Sequence, residues 1–138
     1  MQKKIRVLGI APYETMLNTM IRMAEERKDI ELVEARYGDL ENGAEIVRAY
    51  DPDKYDVILS RGGTKLCIDK VTDKPVFEIP VSYPDLLNIF NLVRGYSGKI
   101  AILCYPNISD QIRRLRDILQ LDYDIFNKMS IHETVCLS

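Results

Sequence analysis

At 138 residues the chain is long enough for one modest domain or two small lobes with a buried core. Its 46% hydrophobic and 29% charged residues are ordinary for a globular protein, and a net charge of −2 with a pI near 5.5 leaves no global basic field for nucleic acid or anionic lipid. No apolar run approaches the roughly 20 residues of a membrane span, and Met1-Gln2-Lys3-Lys4 leads straight into a strand, so neither a membrane partner nor direct nucleic-acid binding is expected.

Lys4–Ile10 is an aliphatic run that reads as the first strand. Met16, Leu17, Met20, Ile21 and Ala24 follow at helical spacing and line one face of a first helix. Ile30–Arg36 is a second strand, and Leu40, Ala44 and Val47 mark the helix after it. Asp56–Ser60 is a third strand running into Arg61, the pair Gly62-Gly63, and a helical register through Thr64-Lys65-Leu66-Cys67-Ile68. Pro75–Pro80 is a fourth strand. Leu86, Leu87, Phe90 and Val93 stripe the helix Tyr83–Arg94, with Pro84 suited to its first turn and Gly95 to its stop. Lys99–Cys104 is a fifth strand, Ile108, Ile112, Leu115 and Leu119 mark the next helix, and Tyr123–Asn127 gives a weaker sixth strand. Ser130-Ile131-His132-Glu133 reads as one more helix start.

Alternating β and α elements with short loops predict an α/β fold, a parallel sheet flanked by helices on both faces in a flavodoxin-like or Rossmann-like lobe. Gly95-Tyr96-Ser97-Gly98 marks a seam. It divides a first α/β lobe, 1–96, which carries the ligand-binding loops, from the start of a second, incomplete α/β lobe, 97–138. The second part either extends the first sheet or borrows structure from a partner.

Ligands of open parallel sheets bind outside the carboxyl ends of the strands. The loops there offer Pro12, Tyr13, Ser60, Arg61, Thr64, Ser82, Tyr83 and Tyr105, together with the backbone donors of Gly62 and Gly63. Ser60-Arg61-Gly62-Gly63-Thr64 joins a strand to a helix start, so backbone N–H groups, a positive helix end and a forked cation converge on one spot. That suits a small carboxylate or phosphate. The blander reading is a tight turn in which the glycines supply permissive dihedrals and Thr64 caps a helix. Neither G-x-x-x-x-G-K-[ST] nor G-x-G-x-x-G occurs. Ser82-Tyr83-Pro84-Asp85 matches a capping box, with Ser82 bonding forward and Asp85 reaching back.

Cys67, Cys104 and Cys136 are odd in number and lack a C-x-x-C spacing, which argues against a disulfide framework or structural zinc and for a reducing, cytoplasmic setting. Two thiols across a cleft could act as the acid–base pair of a cofactor-free racemase or isomerase. However, no Asp or His stands beside Cys67 or Cys104 in sequence to generate a thiolate. His132 is the sole histidine, so a triad or a histidine metal site lacks parts; no metal and no cofactor is expected. Arg113, Arg114 and Arg116 read as a solvated helix face.

The run from Tyr55 to Val93 contains D-V-I-L-S-R-G-G-T, a short helix, P-V-F-E-I-P-V-S, and then an aromatic and an Asp opening a helix. It resembles the N-terminal sensor domain of propionate-catabolism activators, the PrpR N-terminal family of NtrC-class transcriptional regulators. Upstream Gly9-Ile10-Ala11-Pro12 and downstream Lys99–Cys104 fit the same element order over roughly residues 4–133. The resemblance implies a cytoplasmic effector-binding domain of two α/β lobes with a cleft, fused in relatives to an ATPase and a DNA-binding helix-turn-helix. The best-known effector of the family is 2-methylcitrate, a tricarboxylate. By this likeness Ser60, Arg61, Gly62, Gly63 and Thr64 would face the cleft, with Ser82 and Tyr83 opposite. This chain departs from the family's Ser-Gly-Tyr-Asp by carrying Ser82-Tyr83-Pro84-Asp85, which moves the aromatic by one position. The expectation is a non-enzymatic sensor for a small anionic metabolite, homodimeric through its incomplete second lobe. A cysteine-dependent racemase or isomerase and a purely dimerising assembly domain are the alternatives.

Overall fold

β1 (Ile5–Ala11) is buried from Val7 onward, as an aliphatic strand must be when its sheet is covered on both faces. The computed structural model describes residues 3–119, 124–130 and 133–137. They form two compact units, Met1–Ile79 and Pro80–Ser138, and the expected seam at 96/97 lies one helix further along the chain than this division.

The first unit is a four-stranded, wholly parallel sheet in the order β2-β1-β3-β4, with β2 Ile30–Tyr37, β3 Val57–Ser60 and β4 Val76–Glu78. This is the flavodoxin-like order, and the α/β reading holds. Leu8 sits opposite Ile58 in the register, and with Ile10 they face α2 (Glu41–Ala49) and α3 (Gly62–Asp69) through Val47 and Ile68. On the other face, Ala11 and Leu59 pack under Met16 and Met20 of α1 (Glu14–Glu25). Gly9 lets α1 come this close: a Cβ there would stand 3.0 Å from Met20 Sδ.

At the amino end of the sheet, the Arg6 backbone N–H donates to Asp56 Oδ2 at 2.9 Å and its guanidinium to Oδ1 at 2.9 Å, tying β1 to the entry of β3. The Arg6 side chain and backbone hold the Asp56 carboxyl at about 2, and the Arg27 side chain together with Asp29's own backbone N–H holds Asp29 at about 2. A carboxylate whose folded pKa lies below its unfolded value, about 4, stabilises fully above pH 4. That stabilisation is lost as pH falls from there through 2. Asp56→Asn is therefore expected to flatten, without abolishing, the dependence of the urea midpoint on pH between about 4 and 2. A slope identical to the parent's would remove this pair from the acid limb.

The second unit is a three-stranded sheet in the order β5-β6-β7, with β5 Ala101–Cys104, β6 Asp124–Ser130 and β7 Glu133–Leu137. It stands as its own sheet and does not extend the first. Ile102 and Cys104 of β5 pack with Leu86 and Phe90 of α4 (Tyr83–Val93) and with Ile112 and Leu115 of α5 (Pro106–Leu119). β5 and β6 run parallel, whereas β7 returns antiparallel along β6. The helix start expected at Ser130–Glu133 is thus replaced by strand on both flanks. The Ser-x-x-Glu spacing imitates a capping box, but Thr134 and Val135 are β-branched and no helical apolar stripe follows. His132 lies outside the described residues. Gly95 ends α4 as expected, with φ +90°.

Candidate functional site

β1 and β3 are neighbours, yet the chain leaves β1 toward β2 on one side and leaves β3 toward β4 on the other. The loops after β1 and β3 therefore diverge, opening the crevice where parallel sheets take ligands. Pro12 and Tyr13 follow β1, and Ser60 to Thr64 follow β3. Residues far apart in sequence meet here because of strand order.

Ser60 is fully buried, and its hydroxyl donates to the Ile10 carbonyl at 2.8 Å, locking the ends of β3 and β1 together. Arg61 occupies the N-cap of α3 in an extended conformation. Its Nε donates to the Ile79 carbonyl at 3.0 Å and its Nη1 to Tyr13 Oη at 2.6 Å. The guanidinium thus reaches from the exit of β4 to the exit of β1. Tyr13, 42% exposed, accepts from Arg61 and keeps its own O–H as a donor. Gly62, at φ +62°, takes the left-handed turn that only glycine enters without strain, and both it and Gly63 are buried. α1 and α3 both begin at this edge without a side-chain cap from their N-cap residues, which directs two positive helix ends toward it.

Thr64 does not cap α3. It lies inside the first turn, 1% exposed, where its Oγ1 accepts from the Leu40 backbone N–H at 2.8 Å and donates to Asp39 Oδ1 at 3.1 Å. This contact brings in the β2–α2 loop, which the sequence reading passed over. Asn42 N–H closes a turn onto the Asp39 carbonyl at 2.9 Å, and Leu40 sits in it at φ +48° and ψ −121°. That is the first central position of a type II′ turn, normally glycine. Gly38-Asp39 after a strand was the available signal, and a leucine at the strained position hid it.

A cavity of about 270 Å³ opens beside this crevice, bounded by Arg61, Tyr13 and Ile79 and by one side of α1. A larger one, about 400 Å³, is bounded by Tyr55, Lys74 and Pro75, before β3 and β4, at the amino ends of the strands where parallel sheets seldom take ligands.

Ser82, Tyr83 and Tyr105 belong to the second unit. Ser82 is the N-cap of α4 and accepts from the Asp85 N–H at 3.2 Å, the forward half of the capping box. Tyr83 opens that helix and is 47% exposed. The half-buried Tyr105 precedes α5, its carbonyl accepting from the Ile108 and Ser109 N–H groups at 3.0 and 2.9 Å. Cys67, in the first unit, and Cys104, in the second, are free thiols. Burial and the nearby Glu41 raise Cys67, and burial pushes Cys104 up to about 11. Among the described residues no group of three or more His, Cys, Asp or Glu could hold a metal, and no helix is long and apolar enough to cross a membrane.

A family model described as propionate catabolism activator matches residues 24–135, which takes in α3, the Arg61 turn and nearly all of the second unit. No curated protein and no solved structure matches the chain significantly.

Proposed function

Since the chain belongs to the propionate catabolism activator family, we propose that it is an effector-sensing regulatory domain whose first unit reads a small anion through Arg61. One observation carries this: a forked cation at a topological switch point, hydrogen-bonded to Ile79 O and Tyr13 Oη between two helix N-termini. An anion there meets charge, the Tyr13 O–H and helix-end donors together. Ser82, Tyr83 and Tyr105 are the second unit's candidate ligand donors.

Sensing requires a ligand that binds one conformational state more tightly than another. A carboxylate or phosphate drawing on Arg61 and Tyr13 supplies that difference by bracing the β1, β3 and β4 exits against one another. A cytoplasmic setting, homodimerisation and output through associated ATPase and DNA-binding modules belong to the same reading. The racemase alternative is disfavoured, because burial keeps both thiols protonated at neutral pH and a thiolate is the working base.

Isothermal titration and thermal shift of the full chain against citrate, tricarballylate, succinate, short monocarboxylates and inorganic phosphate test the proposal. At least one anion is expected to bind, and Arg61→Ala is expected to weaken it by tenfold or more, the value of one lost charge-assisted hydrogen bond. An inert panel, or unchanged binding by Arg61→Ala, overturns it.

A further inference from the structure

The cavity beside Arg61 is chemically lopsided. Among the described residues that line it, Arg61 is the single charged side chain, and it stands with Tyr13 at the amino end of α1. Away from that end, Met16, Met20 and Met23 follow one another along the helix, and Ile79 faces them from the exit of β4. Thr19 also lines it, but its hydroxyl donates to the Thr15 carbonyl at 2.8 Å, an internal helix bond that removes its proton from ligand recognition. One end is therefore cationic and hydrogen-bonding. Apart from Thr15, in the first turn of α1, and Thr19, the rest, over about two helical turns or roughly 10 Å, is thioether and aliphatic.

We infer that the effector read by the first unit is an amphiphilic monocarboxylate, its carboxylate on Arg61 and Tyr13 and a flexible aliphatic chain lying along the three methionines. The inference rests on the anion-sensing reading and specifies its ligand class. Charge balance supports it: a compact tricarboxylate would bring three negative charges to a site with one cation, leaving two of them facing apolar side chains. Methionine is the side chain best able to mould itself to an unbranched chain, since its thioether is soft and its three torsions adapt. A cavity of about 270 Å³ also falls below the usual range for drug-sized ligands and fits a short acid.

The test is titration of the full chain with acetate, butanoate, hexanoate, octanoate, hexanamide and tricarballylate. Affinity is expected to rise by about tenfold for each two carbons from acetate to hexanoate, the value of two buried methylenes. Hexanamide, which lacks the charge, is expected to bind at least tenfold more weakly than hexanoate. Met23→Glu alters a 59% exposed residue, so the fold should persist. It is expected to abolish the chain-length dependence while leaving the melting temperature without ligand unchanged. A flat chain-length series, hexanamide binding as tightly as hexanoate, or tricarballylate binding more tightly than hexanoate overturns this inference. Tight tricarballylate binding that still depends on Arg61 would leave the anion sensor standing. Absence of binding by every anion removes both.

Discussion

Gly43→Ala is expected to destabilise the protein by about 1 kcal/mol, against the usual direction for a helical glycine. In an exposed helix interior, alanine is favoured over glycine by about 1 kcal/mol because it restricts the unfolded chain. Gly43 is a buried residue of α2, at its contact with α3 and the sheet. A Cβ there would stand 2.6 Å from Thr64 Cγ2, 2.9 Å from the Gly38 carbonyl oxygen and 3.1 Å from Ile10 Cγ2. The Thr64 methyl can rotate or shift; the Gly38 carbonyl belongs to the backbone that sets up the Asp39–Asn42 turn and yields less readily. Overpacking of this kind costs about 1–3 kcal/mol and outweighs the propensity gain. Urea unfolding of Gly43→Ala, Thr64→Ser and the double variant closes a cycle. Removing the Thr64 methyl should return part of the loss and not all of it, since the Gly38 contact remains. A Gly43→Ala variant as stable as the parent would show that α2 can shift away from α3, and that the close packing at Gly43 is not constrained.

The same glycine illustrates how far sequence patterning reaches. Helical spacing at Leu40, Ala44 and Val47 finds α2, and Ala44 and Val47 are indeed buried. Pattern alone cannot show that Gly43 is a contact point, because its partner Thr64 is distant in sequence and strand order makes them neighbours. The place of Arg61 before two glycines marks it in the sequence as a candidate anion reader. Its bonds to Tyr13 and Ile79 depend on β1, β3 and β4 lying side by side, which hydrophobic periodicity does not encode. β7 was missed for a related reason. An antiparallel return is signalled by a short alternation, and the Ser130–Glu133 spacing offered a competing helix signal. A Thr near a helix start has two uses for its hydroxyl, so the sequence leaves a cap open for Thr64, and only the fold says that the neighbouring loop takes it.

Thr64→Val tests that loop contact directly and is expected to destabilise by about 2 kcal/mol. Valine nearly preserves the shape, so the packing against Gly43 is retained and the hydroxyl is what changes. The part-buried Leu40 N–H loses its acceptor and Asp39 loses its donor, and an N–H left without a partner costs about 1–3 kcal/mol, the upper end applying to full burial. Leu40 adds a second consequence. A leucine at φ +48° and ψ −121° stores about 1–3 kcal/mol that the surrounding contacts must hold, and the Thr64 hydroxyl is one of them. With it gone, the Asp39–Asn42 turn is expected to relax, and hydrogen exchange should accelerate at the first amides of α2 while β1 stays protected. Leu40→Gly in the Thr64→Val background should slow that exchange again, because glycine occupies the turn without strain. Thr64→Ser keeps the hydroxyl and should leave the exchange pattern near the parent's. The ligand response separates two roles in one short turn. Arg61→Ala should lower affinity with little change in stability, whereas Thr64→Val should lower both, since it loosens the first turn of α3 that aims the Arg61 backbone and its neighbours. If Thr64→Val leaves Leu40 exchange and urea midpoint untouched, the β2–α2 loop is held by other contacts, and the site is built by the Ser60–Gly63 segment without its help.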